Sequence, residues 1–137
     1  MDIYRRRRGA AIVDTNGGII VVSRGGEWFT LPGGKAKNRE SRSQAAMREL
    51  KEETDLNAHD AKFLFKHLGG VHKSGKGYYF QNHNKVFLVE AKGKPRPKNE
   101  INYVDYYTPD SDVQISSTTQ GMLKKYYEFK RSKWDTH

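Results

Sequence analysis

Glu49, Glu52 and Glu53 are the residues whose types and spacing promise chemistry. From Ser41 to Thr54 the chain holds no Pro or Gly, and the run from Ala45 to Lys51 favours helix. At roughly 100° per residue the three glutamates fall within about 100° of arc on one helix face. Carboxylates that close repel one another by about 1 kcal/mol per pair even in water near 4 Å, so something positive should sit among them. Oxygen-only ligands, in a chain without Cys and without a helical His pair, suit Mg²⁺ or Mn²⁺ rather than zinc. Mg²⁺ keeps part of its water shell and commonly bridges to substrate phosphates, which points to phosphate-ester or pyrophosphate hydrolysis.

The residues before the helix strengthen this reading. Leu31-Pro32-Gly33-Gly34 forms a turn whose backbone carbonyls can approach an ion closely. Arg48 precedes Glu52 by four residues, within reach of an ion pair that fixes the carboxylate's direction. Glu40 stands alone as an acid at the helix start, able to accept backbone N–H bonds. Taken together, Gly34, Glu40, Arg48, Glu49, Glu52 and Glu53 closely resemble the Nudix box, the signature of enzymes that hydrolyse nucleoside diphosphates linked to another moiety.

That resemblance implies an α/β/α sandwich with a mixed β-sheet between helices. It implies that Glu49, Glu52 and Glu53, with the carbonyl of Gly33, hold one or more Mg²⁺ or Mn²⁺ ions against a substrate pyrophosphate. Glu40 would support the catalytic loop. Glu100 stands where the family often carries a further glutamate, able to ligate metal or orient the attacking water; Glu90 is the alternative for that role. Glu49, Glu53 and Glu100 are all candidates for the base. The family's glycine after the box is replaced by Asp55, and Asp is among the side chains best able to visit the left-handed region that ends a helix.

Substrate choice lies outside the box. The proline that marks ADP-ribose hydrolases is absent, since Pro95 is the first proline downstream. The tyrosine typical of dinucleoside polyphosphate hydrolases lies nearer the box than Tyr78 or Tyr79 does here. A MutT-like (deoxy)nucleoside triphosphate pyrophosphohydrolase remains. The alternatives are a diadenosine polyphosphate or RNA 5′-end pyrophosphohydrolase, and a Nudix-fold nucleotide-binding module without turnover.

The elements that position these groups follow from patterning. Arg7 to Val13 and Ile19 to Ser23 read as strands joined through Thr15-Asn16-Gly17-Gly18. Trp28 to Leu31 alternates before the glycine turn; the resemblance implies an aromatic just before that turn, a place for either Trp28 or Phe29, and Trp28 is a base-stacking candidate. Lys35, Lys37 and Arg24 are candidate phosphate contacts; the two lysines oppose the helix macrodipole, so local stability does not explain them. Ala61 to Leu68 reads as a strand closed by Gly69 and Gly70. Val71 to Gly77 follows as a basic loop fit for a lid, with His72, and later His83, as acid-base possibilities. Tyr78 to Phe80 and Lys85 to Ala91 read as strands, or as one strand through Gln81 to Asn84. Lys92 to Asn99 is a Pro- and Lys-rich loop, Ile101 to Thr108 a strand in which Tyr106 would be the aromatic that the resemblance implies after Glu100, and a final helix runs from a Ser117 or Thr118 cap to about Lys133.

At 137 residues the chain reads as one domain over 1–137. Eight Tyr, six Phe and two Trp can fill a core despite 35% hydrophobic content. No run approaches spanning length and the basic start lacks a signal-peptide apolar segment, so no membrane partner is expected and cytoplasm is the expected location. The net charge of +9 fits a phosphorylated small-molecule nucleotide and would equally fit RNA. Arg5 to Arg8 is read as a solvated strand start, because no second basic cluster or aromatic spacing nearby defines a nucleic-acid groove.

Overall fold

The computed structural model describes residues 2–135. Two sheets and two helices form in the order β1 (Ile3–Ile12), β2 (Asp14–Thr15), β3 (Gly18–Ser23), β4 (Gly33–Lys35), α1 (Arg42–Thr54), β5 (Asn57–Lys73), β6 (Tyr79–Lys92), β7 (Tyr103–Tyr107) and α2 (Ser117–Asp135). The larger sheet is mixed, ordered β4-β1-β6-β5, with β1 and β6 parallel and the other pairs antiparallel. The smaller sheet, β2-β3-β7, is antiparallel.

Alternation along β1 divides the interior in two. Ala10 and Ile12 join Ile19, Val21, Val86 and the α2 residues Met122, Leu123 and Tyr126 on one side. Ala11 and Val13 join Ile20, Phe87 and the α1 residues Ala46 and Leu50 on the other. Each helix therefore seals one side, the α/β/α arrangement expected of these patterns. No helix among the described residues is long and apolar enough to cross a membrane.

Three elements differ from their sequence reading. β1 begins at Ile3 rather than Arg7, because β6 runs parallel to it in register from Ile3 to Ile12. β5 does not stop at Gly69 and Gly70 but runs to Lys73, absorbing the glycines in an irregularity between Leu68 and Val71. The first three residues of the expected basic lid, Val71 to Lys73, are thus strand, and Ser74 to Gly77 turns the chain, into a β6 that is one continuous strand. At α2 the Thr119 N–H is capped by the Ser116 hydroxyl, one residue earlier than expected.

The join between α1 and β1 is the tightest contact in the fold. A Cβ on Gly9 would stand 2.0 Å from the Arg42 carbonyl oxygen and 3.0 Å from the Ala46 nitrogen. Only glycine lets the helix lie this close to the strand. Gly9→Ala should therefore lower the unfolding free energy by about 1–3 kcal/mol, measured by denaturant titration, as the helix is pushed off its strand.

Candidate active site

The glycine turn and α1 build the site from opposite sides. β4 is a three-residue strand on the edge of β1, registered Ala10 to Gly33 and Gly9 to Gly34. A Cβ on Gly33 would fall 2.3 Å from the Gly9 carbonyl oxygen, and one on Gly34 would fall 2.6 Å from the Glu49 carboxyl. Gly33 must be bare for β4 to lie against β1, and a side chain at Gly34 would displace the Glu49 carboxyl. α1 starts at a Ser41 cap with a reciprocal Gln44 bond and ends at Asp55, whose φ of 65° is the left-handed cap. Asp55 also pairs with Lys51, Arg96 and Lys98 at 3.0, 2.7 and 3.1 Å, which holds its carboxyl below the usual range, the Lys51 hydrogen bond first. The position that departs from the box glycine therefore anchors the loop after β6.

Arg48 is the hub. Its Nε and Nη2 donate to the two oxygens of Glu40 at 2.8 and 3.0 Å, Nη1 donates to Glu49 at 2.9 Å and to Glu52 at 3.1 Å, and Nη2 also donates to the Lys35 carbonyl at 3.1 Å. The expected pair with Glu52 is present, but the two-pronged bond goes to Glu40. Glu40 in turn accepts from the Lys37 N–H at 2.9 Å. These bonds, Arg48's first, draw the Glu40 carboxyl down to about 2.

Glu53 accepts from the Gly33 N–H at 3.2 Å. Its carboxyl is driven up to about 8, by burial first and also by the neighbouring Glu49. Against this pair stands Arg8, half-buried, its guanidinium lowered by desolvation and held by Glu49 and Glu53. Arg8 was absorbed into the Arg5–Arg8 run in the sequence. The available signal was alternation, which turns Arg8 away from Arg7 on the strand that meets the glycine turn.

These groups open onto a cleft of about 960 Å³. Glu49, Glu52 and Glu53 all line it, as do Gly33, Arg8, Arg24, Trp28 and Glu100. Arg24 and Glu100 pair with each other on the exposed rim. Glu90 pairs instead with His59 at 3.4 Å and lines no part of the cleft. Phe29 is buried in the core, while Trp28 is 56% exposed in the cleft wall. Asn99, missed in the sequence, ties its loop to α1 by donating to the Glu52 carbonyl at 2.7 Å.

Several expectations are corrected. Lys35 and Lys37 do not line the cleft: their side chains are exposed, and it is their backbone groups that serve the Arg48–Glu40 unit. Tyr106 lies on β7 outside the cleft, and His72, on β5, lies against Phe80 of β6. The three glutamates do not form a closed cluster. Among the described residues no three acidic, His or Cys side chains converge as a metal cage, since Arg48 holds Glu49 and Glu52 while Glu53 turns to Gly33. The donor set still fits a hard divalent ion. Mg²⁺ is held by one or two carboxylates together with substrate phosphates rather than by an all-protein cage, and Glu49 and Glu53 offer such a crowded, oxygen-only pair.

The raised carboxyl has a consequence for the metal-free protein. Glu53 ionises near its ordinary value of 4.5 when unfolded but only near 8 when folded, so its contribution to stability is lost as pH rises through that window. Glu53→Gln should accordingly gain melting temperature over the parent in chelator as pH is raised from about 5 to about 8, read by thermal unfolding; a constant difference would contradict the assignment.

Residues 3–124 match the family model for the NUDIX domain. Among solved structures, a nudix family member from Chromobacterium violaceum aligns with TM-score 0.74 and 34% identity, over 93% of this chain and 78% of that one. A MutT NUDIX hydrolase from Burkholderia pseudomallei aligns with TM-score 0.68 and 20% identity, over 88% and 97%. The NUDIX domain of Shewanella oneidensis NrtR, complexed with ADP ribose, aligns with TM-score 0.66 and 13% identity, over 93% and 88%. No curated protein matches the chain. With the glycine turn, the Arg48 hub and the glutamates of α1 in one cleft, the chain belongs to the Nudix family, as a pyrophosphohydrolase acting on phosphoric anhydrides.

Proposed function

We propose that the cleft hydrolyses a (deoxy)nucleoside triphosphate in the MutT manner, at an anhydride bond between phosphates. The observation that carries this reading is the crowding of Glu49 and Glu53 beside the Gly33 backbone, in a cleft that also presents Arg8 and Arg24. Glu49, Glu52 and Glu53, with the Gly33 carbonyl and Glu100 from the rim, would hold Mg²⁺ or Mn²⁺, which when bound neutralises phosphate oxygens and lowers the pKa of water.

The chain's own groups do the remaining work. Arg48 fixes the directions of Glu49 and Glu52, so two carboxylates are oriented before substrate arrives. Water adds to phosphorus as the anhydride P–O bond breaks; its proton passes to a carboxylate, with Glu53, Glu49 and Glu100 as candidates, and the leaving phosphate departs with the bond pair. Arg8, desolvated in the cleft wall, gives a fixed positive charge for phosphate oxygens. Arg24 exchanges Glu100 for phosphate at the exposed rim, where the ion pair is weak. Trp28 offers an exposed indole on which a base can stack.

A hydrolysis screen over nucleoside triphosphates, nucleotide sugars, dinucleoside polyphosphates and RNA ends, with Mg²⁺ or Mn²⁺ supplied, tests the assignment directly. Turnover should be highest on the triphosphates and should stop with chelator. Glu52→Gln and Glu53→Gln should each lower kcat by about 10²-fold or more while melting cooperatively; near-parental turnover in both would reject the site. Trp28→Ala should raise KM for the nucleotide about tenfold with kcat little changed, the loss expected for one stacked base.

A further inference from the structure

On the α1 side of the larger sheet, a second concavity of about 520 Å³ shares no lining residue with the catalytic cleft. Arg5, Arg7, Arg42 and Lys66 line it, and no acidic residue does. Lys85 stands directly across from Lys66 in the sheet, registered with Gly9 on the other side. Among the described residues none of these five cations has a carboxylate partner. Their mutual repulsion is visible in two of them: Lys85 is pulled down by Arg42 first, then by burial, Lys66 and Arg7, and Arg42 by burial and then Arg7. The His83 Nε2, in the same lining, is buried with no hydrogen-bond partner among the described residues.

Strand alternation explains how this surface arises. Arg5 and Arg7 share the sheet face on which Gly9 meets α1, whereas Arg6 stacks 3.6 Å from the Phe80 ring and Arg8 turns toward Glu49 and Glu53. Folding then adds what the linear run lacked. β5 and β6 bring Lys66 and Lys85 beside the arginines, and Phe63, 47% exposed, lies 5.5 Å under the Lys85 ammonium. Arg5 and Arg7 are separated by roughly 7 Å along the strand. The cations are therefore spread over β1, β5, β6 and the start of α1 beside an exposed aromatic ring, an area that suits several phosphates with stackable bases better than a single small anion.

We propose that this concavity binds the phosphate backbone of a single-stranded nucleic acid, apart from the cleft that contains Glu49, Glu52 and Glu53. The proposal is independent of which nucleotide the cleft hydrolyses. It is tested by fluorescence anisotropy with a 3′-labelled uridylate dodecamer ending in a 5′-hydroxyl, in chelator, so that no anhydride is offered to the cleft. The parent and Arg5→Ala/Lys66→Ala are compared across a salt series, with thermal unfolding and small-nucleotide turnover measured alongside. The double variant should bind about tenfold more weakly at low salt, with the slope of log K against log salt shallower by about 1.4, the value for two lost contacts to a single strand. Melting temperature and turnover should stay at parental values. The proposal is overturned if the parent shows no salt-dependent binding, if the variant keeps parental affinity and slope, or if turnover falls with RNA binding. Displacement of the dodecamer by inorganic triphosphate at equal phosphate concentration would also overturn it, by making this a small-anion site.

Discussion

The Arg48 guanidinium is the constraint on which the rest of the site depends. Its five N–H groups are all engaged, by Glu40, Glu49, Glu52 and the Lys35 carbonyl, so one side chain joins the loop before α1, the short β4 and the helix. The bonds to Glu40 form a two-pronged, charge-assisted contact in a half-buried setting. A lysine could supply the charge but not the planar fork that reaches all these acceptors. Because Glu49 and Glu52 are held by this same group, the geometry of the carboxylates follows from the packing of α1 onto β1 through Gly9.

Charge is distributed unevenly around that hub. Glu49 and Glu53 crowd each other beneath a desolvated Arg8, leaving a pocket short of positive charge within a chain of net charge +9. Such a site suits a ligand that carries its own cation, and the surrounding positive field draws in polyanions. The tension is maintained because neither carboxylate can leave: Glu53 is tied to the Gly33 backbone and Glu49 to Arg48, each on an element packed against the core.

The cleft's outer wall depends on a second anchor. Asp55, at the helix end, holds Arg96 and Lys98, and Asn99 bonds the last turn of α1. These bonds lay the loop after β6 along the helix, which delivers Glu100 to the cleft opposite Arg24. A Pro- and Lys-rich stretch that reads as a surface loop is thus pinned where it can meet substrate. The pinning residue is the one that replaces the usual helix-ending glycine.

The local elements were legible in the sequence because their causes are local. Helix propensity, the Ser41 cap and the left-handed tolerance of Asp55 set α1 and its acidic face, and the Gly33-Gly34 turn announced close backbone approach. Glu100 was separable from Glu90 only by the fold, since both end near the same loop and only the Asp55 anchor decides which reaches the cleft. The length of β5 was hidden by Gly69 and Gly70, which signal a break until β6 supplies hydrogen bonds on either side of the irregularity. Arg8 and Arg7 look alike in a run of four arginines; their opposite fates come from strand alternation combined with what packs on each face. Sequence alone therefore determined the acidic face of α1 and the glycine turn beside it, because those follow from residue type and short-range spacing, but it named Lys35 and Lys37 for phosphate and passed over Arg8. Only the tertiary structure decided which side chains share the cleft, because gathering Arg8, Glu53, Glu100 and Trp28 around it depends on strand register and loop anchoring across most of the chain.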